Sequence, residues 1–512
     1  MHKIIFFLGI ALILSSCGSE EAVLKETKGK PEFCSRIHRD NNVDLDKALD
    51  SLINVNPGKT GVCTLEEGDA SLVSSAWLCE YAQKTIDVQY FIFTADNVGL
   101  IAADYLVRAA DRGVKVRILV DDICMHSTEE ELLTLDAHPN IEIKIYNPTT
   151  NVGKNKVERV YNMATDFVRS NQRMHNKTFT VDGRIVITGG RNVADEYYDY
   201  DHEFNFRDRD VLLIGGKVSE VQKSFSDFWN SEISGSVTTL ADTAKYKIDK
   251  TNPFMALHQY ACDSNNFWPQ VREKIKTVPQ MFNTVLRKGQ LTWTDGIQFV
   301  SDIPGKNDLT KGLEGGGVTT DTLISLVKRA KKQIIIESPY LITTDKGKKL
   351  FAELTKRGVN VTIITNSMQS NDNMEAFSGY QRDRKELLET GVNIHEFKPD
   401  AAVRYKIMTG SLQKKMNFTP VFGLHAKSMV IDGEIAVIGT FNLDPRSANL
   451  NTECITIIKN FVVAQGVLQQ MLEELKPENS WHTTLNYNPD KEAPLTTRMK
   501  VKARRVVPKG IL

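Results

Sequence analysis

Apolar positions along this chain fall into two runs of the same order. Residues 86–93, IDVQYFIF, read as a strand, and 97–114, NVGLIAADYLVRAADRGV, carry apolar residues at helical spacing. The run 115–122, KVRILVDD, reads as a buried strand ending in carboxylates. Much later, 333–340 (QIIIESPY), 347–359 (GKKLFAELTKRGV) and 360–366 (NVTIITN) repeat the series strand, helix, Arg-Gly-Val, strand. Each copy has a helical segment ahead of it, around 71–83 and 320–331. Each has a third short strand behind it, 141–147 and 392–398. The chain is therefore an internal duplication. Strands alternating with helices predict an α/β fold of two duplicated domains, each a mixed, mostly parallel sheet flanked by helices. Gly113 and Gly358 stand where a helix stops, the place for a left-handed residue. Arg112 and Arg357 beside them read as last-turn cations.

Each copy runs through a long irregular stretch, 148–174 and 399–424, into one pattern. The first reads HNKTFTVDGRIVITGGRN and holds His175, Lys177, Asp182 and Asn192; the second reads HAKSMVIDGEIAVIGTFN and holds His425, Lys427, Asp432 and Asn442. By composition, one His-Lys-Asp match of this spacing is expected roughly a few hundredths of a time in a chain this long. Two matches at corresponding points of a repeat are not chance. Residues i and i+2 of a strand share a face, so each His and Lys should project together. The Asp-Gly pairs 182–183 and 432–433 are hairpin signals, and the strands after them return the chain toward Asn192 and Asn442. Two halves related by a pseudo-two-fold would place two imidazoles, two cations and two amides around one active site. That is a site for a tetrahedral anion, above all a phosphate diester. No Cys/His/Asp/Glu cluster has metal-ligand spacing, and two lysines already neutralise a diester, so no metal or other cofactor is expected.

These residues resemble the phospholipase D superfamily, whose mark is a duplicated HxKxxxxD motif followed by Gly-x-Asn. The resemblance runs from about 70 to 485. Within it, 189–231 (GGRNVADEYYD…FRDRDVLLIGG…FWNS) and 439–453 (GTFNLDPRSANLNTE) resemble the cardiolipin synthase C branch. The resemblance implies a phosphatidyltransferase making cardiolipin from membrane phospholipids: phosphatidylglycerol, with phosphatidylethanolamine as another possible donor. One His attacks phosphorus to form a phosphohistidine, and the other protonates the leaving alcohol and later deprotonates the acceptor. By this analogy His175 is the nucleophile and His425 the acid/base, and rate against pH should be bell-shaped, one imidazole being neutral and the other protonated. Lys177, Lys427, Asn192 and Asn442 would hold the non-bridging oxygens. Asp182 and Asp432 belong to the catalytic motif, with a turn-holding role expected. The family also places a carboxylate on the His. Glu453 is the candidate in the second copy. In the first it is Asp208, after a five-residue insertion, with Glu203 as the alternative at the same offset from its His as Glu453. His126, His202 and His395 read as structural or solvated. A hydrolytic phospholipase D releasing phosphatidic acid is the alternative function. A nuclease ranks third, and a non-enzymatic lipid-binding scaffold is disfavoured by two intact His-Lys pairs. One chain carries both copies, so a monomer should suffice.

Composition adds bounds. The chain has 512 residues, 41% apolar and 25% charged, and its 64 basic and 64 acidic residues cancel. Zero net charge is a poor match for a non-specific nucleic-acid binder. The apolar run 4–14, IIFFLGIALIL, is too short for a membrane helix, which needs about 20 residues. With Ser15, Ser16 and Cys17 after it, the run reads as a signal peptide. LSSC resembles a bacterial lipoprotein box, which implies lipid on Cys17 and an exported protein anchored to a membrane surface. Gly18 rather than Asp after the cysteine implies the periplasmic side of the outer membrane in a Gram-negative cell. The expected segments are a signal peptide (1–16), tether and extension (17–65), first domain (66–239), connector (240–305), second domain (306–485) and basic tail (486–512). The connector mixes Phe267, Trp268, Phe282 and Trp293 with cations, and reads as either a membrane-facing segment or a helical connector. The basic residues of 497–512 suit either anionic lipid or a solvated edge. Cys34 and Cys63 are the expected disulfide; Cys79 and Cys124 read as buried thiols.

Overall fold

A computed structural model describes residues 44–123, 127–246, 254–276, 291–306, 313–408 and 420–512. Cys17 and the signal segment, Cys34, Cys124, His126 and Phe282 lie outside these residues. The first half supplies strands β1 (Thr60–Leu65), β2 (Thr85–Tyr90), β3 (Lys115–Asp121), β4 (Ile141–Tyr146), β5 (Thr178–Val181), β6 (Ile185–Gly189), β7 (Phe204–Arg207), β8 (Asp210–Gly215), β9 (Ser234–Ser236) and β10 (Thr292–Thr294). The second supplies β11 (Ile297–Ser301), β12 (Gln333–Glu337), β13 (Asn360–Asn366), β14 (Asn393–Phe397), β15 (Val421–Leu424), β16 (Ser428–Ile431), β17 (Ile435–Gly439), β18 (Cys454–Lys459) and β19 (Ser480–Thr483).

The sheet orders are β10-β1-β8-β6-β5-β2-β3-β4-β9 and β11-β18-β17-β16-β12-β13-β14-β19. The repeat is plain in them: β8, β6, β5, β2, β3, β4 of one match β18, β17, β16, β12, β13, β14 of the other. Helices Asn97–Asp111 and Asp345–Lys356 form the crossovers that make β2–β3 and β12–β13 parallel, and β3–β4 and β13–β14 follow suit. Every other neighbouring pair in the two sheets is antiparallel. The sheets are mixed as expected, but mostly antiparallel rather than mostly parallel. The motif segment is the reason. It enters beside β2 or β12 in the opposite direction and turns back at once through Asp182-Gly183 or Asp432-Gly433, whose φ angles are 52°, 65°, 53° and 71°. Gly113 and Gly358 end their helices at φ 93° and 84°.

Both faces of each sheet are covered. Alternate residues do this: in β8, Leu212 and Ile214 join the first half's own core with helices Gly68–Tyr81 and Asn97–Asp111, while Val211 and Leu213 face the other half. There they meet Ala436 and Ile438 of β17 and Ala464 and Val467 of helix Phe461–Glu474 in one shared core. The two halves are thus fused through a continuous apolar interface.

The connector is not a separate unit. β10 pairs with β1 in the first sheet, and β11 opens the second sheet by pairing with β18, so the boundary between halves falls between Thr294 and Ile297. Phe267 is buried in the first half's core, the Trp268 ring stacks on Tyr200 at 5.2 Å, and Trp293 packs over Gly61. These aromatics face protein, which corrects the membrane-facing reading for them. The tail is not an extended edge either. Helix Leu495–Ala503 and the turns after it pack on helix Met374–Glu389, with Arg504 on Glu375, Lys509 on Asp383 and Arg382 on the Val507 carbonyl. The stretch 148–174 contains helices Lys156–Thr165 and Phe167–Asn171. Cys63 is a free thiol on β1, which rules out its expected bridge to Cys34; Cys79 is free and buried, as read, and Cys262 is disulfide-bonded. Among the described residues no helix is long and apolar enough to cross a membrane.

Candidate active site

The two His-Lys pairs meet where the halves join, and each imidazole is held by a carboxylate of the other half. His175 Nδ1 lies 2.9 Å from Glu453 Oε2, and His425 Nδ1 lies 2.5 Å from Asp208 Oδ2. The sequence had paired each carboxylate with its own copy; the structure exchanges them. Backbone makes the exchange. The His425 and Ala426 N–H groups both donate to the Arg207 carbonyl, and the His175 N–H donates to Thr452. On the Asp208 side, β7 runs parallel to β15 over four residue pairs, from Val421↔Phe204 to Leu424↔Arg207. On the Glu453 side there is a single bridge, Met174↔Thr452. The insertion seen before Asp208 builds β7. Glu203, the alternative, is exposed; its carbonyl accepts from the Val421 N–H and its own N–H donates to Asp201 Oδ1.

His175 and Lys177 precede β5 rather than lying in it, as His425 and Lys427 precede β16. All four are buried. Lys177 Nζ donates to the His175 carbonyl at 2.8 Å, and Lys427 Nζ donates to that of His425 at 2.6 Å. Each ammonium keeps further protons for an anion. Phe91 presents its ring to His175 at 5.1 Å; Tyr197 and Phe206 flank His425 at 5.0 and 4.8 Å. With Nδ1 taken by a carboxylate, each imidazole has Nε2 left for chemistry.

The carboxylates are fixed by different means. Burial would raise the Asp208 carboxyl, but His425, Lys427 and Arg191 together hold it well below the usual carboxylate range. Its Oδ1 accepts from the Arg209 N–H at 2.7 Å. A Cβ on Gly190 would come within 2.0 Å of that oxygen, so only glycine leaves room for the carboxylate. The second copy has Thr440 there, whose hydroxyl donates to Glu453 Oε2. Burial raises Glu453 to about 7 against Lys306 and Lys177. Arg207 and Arg209 on either side of Asp208 are clamped to Glu474 and Glu337 of the second half, and to Glu66. That clamp ties the carboxylate's position to the joint between halves.

Burial first, then the lysines, pushes both imidazoles down: His175 well below its ordinary value, and His425 to about 3, with Asp208 opposing. Burial also lowers Lys177 to about 8 and Lys427 to about 7. The site is a buried cluster of two cations and two imidazoles that burial keeps neutral. Asn192 Oδ1 accepts from the Ile92 N–H at 3.2 Å. Asn442 is buried, and among the described residues its Oδ1 has no hydrogen-bond partner.

Asp182 and Asp432 are not at this site. Asp182 accepts from the N–H groups of Gln83, Lys84 and Thr85, and Asp432 from those of Lys331, Lys332 and Gln333. Seven residues of extended chain separate each from its His, about 23 Å. They hold the start of β2 or β12 against the hairpin, which corrects their inclusion among catalytic groups. His202 is exposed; His395 stacks on His482 at 4.8 Å, away from the motif. Among the described residues, Asp104, His258 and Cys262 lie close enough to hold a metal, but the Cys262 sulfur is in a disulfide and is not a thiolate ligand. Sequence reading missed Thr440, Lys306, Tyr197 and Phe206. Thr440 sits within the quoted motif, so its difference from Gly190 was the available signal; Lys306 left none.

Comparison with known proteins gives a consistent picture. A family model described as "Cardiolipin synthase, PLD-like domain" matches residues 78–229 and 323–475. Cardiolipin synthase C of Escherichia coli (strain K12) is 31% identical over 447 residues, covering 86% of this chain and 90% of that protein. An uncharacterized protein of Helicobacter pylori (strain J99) is 33% identical over 434 residues, covering 84% of this chain and 82% of that one. Among solved structures, a phosphatidylserine synthase of Haemophilus influenzae Rd KW20 superposes with a TM-score of 0.55 at 14% identity, over 91% of this chain and 99% of that chain. That likeness concerns the fold alone.

Proposed function

We propose a phosphatidyltransferase, from the premise that this chain belongs to the cardiolipin synthase, PLD-like domain family of the phospholipase D superfamily. Its substrates are membrane phospholipids and its product is cardiolipin. The observation that carries the reading is the crossed pair of His-carboxylate contacts, His175–Glu453 and His425–Asp208, with both lysines buried beside them. The arrangement leaves an Nε2 atom on each imidazole and sets both lysines close enough to act on each of them.

In the first step His175 Nε2 attacks phosphorus, the P–N bond forms, and the bond to the leaving alcohol breaks. His425 gives that alcohol oxygen its proton. In the second step an acceptor hydroxyl loses its proton to His425, its oxygen bonds phosphorus, and the P–N bond breaks. Lys177, Lys427, Asn192 and Asn442 hold the non-bridging oxygens throughout. His425, neutral on its own, becomes an acid once the diester arrives. The diester's charge offsets the two lysines that depress the imidazole, and ionised Asp208 stabilises the imidazolium. Glu453 must be ionised to accept the Nδ1 proton of His175 and leave Nε2 with its lone pair.

A lipid on Cys17 would hold the enzyme at a membrane surface on the periplasmic side, where phosphatidylglycerol is concentrated as donor and acceptor. Both histidines come from one chain, so a monomer carries a whole site. The deciding experiment is the purified full chain with liposomes of defined phosphatidylglycerol and phosphatidylethanolamine content, products identified by mass spectrometry. Cardiolipin as the main product is expected. Phosphatidic acid dominating at every acceptor concentration makes the enzyme a hydrolase, and cleavage of single-stranded DNA with no lipid reaction overturns both lipid readings. Mass spectrometry of the mature N-terminus tests Cys17.

A further inference from the structure

The basic tail is two-sided. Helix Leu495–Ala503 buries Val501 in the second half's core, and the chain after it buries Val507, so one side is fixed to protein. The other side is open. Leu495 and Met499 are each 63% exposed, and Val506, in the turn Arg504–Val506, is 59% exposed. Leu495, Met499 and Lys502 stand at i, i+4 and i+7, which is one face of a helix. Residues 493–512 hold six basic side chains and no acidic one. Acids packed behind the helix bond to two of these cations, Arg504 to Glu375 and Lys509 to Asp383. Lys500, Lys502 and Arg505 are exposed, and none of the three has an acidic partner among the described residues. The segment then reaches the joint between the halves. Val507, Ile511 and Leu512 cluster with Ile342 and Ala376, and Phe167 packs on them from the first half. The Arg446 guanidinium donates to the Ile511 carbonyl and to Asn171, and its N–H donates to the Leu512 carbonyl. Asn171 stands four residues before His175, and Arg446 four residues after Asn442, so the tail is fixed beside both motif segments.

We infer that the outer side of helix Leu495–Ala503 and the turn after it is a docking surface for a bilayer containing anionic phospholipid. An interfacial helix lays apolar side chains into the boundary between headgroups and acyl chains, while its cations meet anionic headgroups. Leu495, Met499 and Val506 supply the first contact, and Lys500, Lys502 and Arg505 the second. Nucleic acid would use the cations and leave the apolar side chains in water. A neutral bilayer would use the apolar side chains and leave the cations idle. A protein partner or a second copy would need a broader apolar area than three side chains. The surface also has a consequence for the site. Because the tail is bonded beside both motif segments, a bilayer held by the helix lies against the joint where the two histidines meet. A lipid on Cys17 would keep the chain near a membrane; the helix decides which side of the protein faces it. The inference shares with the transferase reading only the phospholipid surface as the place of action.

Oxidative footprinting with a control inside the chain tests it. Met499 is 63% exposed, and Met255, on helix Met255–Cys262, is 51% exposed. The full chain is treated with hydrogen peroxide alone, with phosphatidylcholine vesicles, and with vesicles of phosphatidylcholine and phosphatidylglycerol. Sulfoxide at each methionine is read by mass spectrometry. The phosphatidylglycerol vesicles should slow oxidation of Met499 by about fivefold or more, the scale that one cation contributes at an anionic surface, while Met255 keeps its rate. Phosphatidylcholine vesicles should change neither. Comparing two methionines of one molecule makes the result independent of how the chain is otherwise anchored. Lys500→Glu combined with Lys502→Glu should remove the protection. His175→Ala should leave it intact, so a failed transferase assay and a failed footprint are separate outcomes. Four results overturn the docking surface: Met499 oxidised equally fast with both kinds of vesicle, Met499 and Met255 slowed alike, protection that survives the double variant, or protection that rises with protein concentration in the absence of lipid, the mark of a second copy.

Discussion

The two halves of the joint perform the same task with different parts. Around His425 the carboxylate is a short Asp208, squeezed in over Gly190, delivered by a four-pair parallel ribbon and clamped by two arginines. Around His175 it is a longer Glu453, delivered by one bridge and bonded by the Thr440 hydroxyl. His, Lys and Asn are the same in both copies, and so is the Lys contact to the His carbonyl, while the carboxylates on the imidazoles and the groups that hold them have diverged. Asp208 is held ionised while Glu453 is raised to about 7. A site that must run an acid and a nucleophile from two imidazoles gains by making their environments unequal.

The comparison breaks outright if either half works alone. His175→Ala and His425→Ala should each lower kcat by about a thousandfold or more, because each leaves a nucleophile or an acid but not both. Steady-state cardiolipin formation measures this, and strong activity in either single variant means the halves are not one site.

Removing the orienting charges comes next. Asp208→Asn should cost about a hundredfold to ten-thousandfold in kcat, in the range found when a histidine loses its orienting carboxylate elsewhere. Glu453→Gln should cost less near pH 7, since Glu453 there carries only part of its charge. Gly190→Ala should match Asp208→Asn, because the new methyl occupies the carboxylate's place. Equal losses for Asp208→Asn and Glu453→Gln would erase the proposed difference between the halves.

How much of this was legible follows from the range of each interaction. Periodicity and the Arg-Gly-Val stops marked the repeat because helices and strands are local. The mistaken preference for parallel pairing arose because parallel crossovers have a sequence signature, whereas β1–β8 and β6–β8 pair residues far apart with none. The motif gave His, Lys and Asn because their spacing is rigid. It did not give the exchange of Asp208 and Glu453, which depends on how two sheets dock; only the five-residue insertion hinted that the delivery differs. Asp182 and Asp432 were motif members with an expected turn-holding role, and the Asp-Gly hairpin signal was enough for that role because it is local.

A smaller effect should appear in the pH profile. Glu453 must lose its proton for His175 to attack, so kcat/KM should rise with pH up to about 7. Lys427, lowered to about 7, holds phosphate only when protonated, so the rate should fall above that. The expected bell thus has its acid limb in Glu453 and its alkaline limb in Lys427, rather than in the two histidines. Lys427→Arg keeps the charge at all working pH values and should move the alkaline limb up by about one unit, toward the value of about 8 for Lys177. An alkaline limb that stays in place would assign it elsewhere.

The smallest effect separates scaffold from chemistry within the motif itself. Asp182 and Asp432 each gather three backbone N–H groups at the start of a central strand, and both sit at left-handed φ. Asparagine tolerates that φ and still offers one carbonyl oxygen, so Asp182→Asn and Asp432→Asn should fold. The lost charge weakens the N–H bonds by about 1–2 kcal/mol in total, which lowers Tm by a few degrees in a domain of this size. Since each carboxylate is about 23 Å of extended chain from its histidine, kcat below the unfolding range should stay within about twofold. The two copies should respond alike, because here, unlike at the carboxylates of the site, the contacts are the same in both. A kcat loss of a hundredfold with Tm unchanged, in either variant, would return the third motif residue to the chemistry.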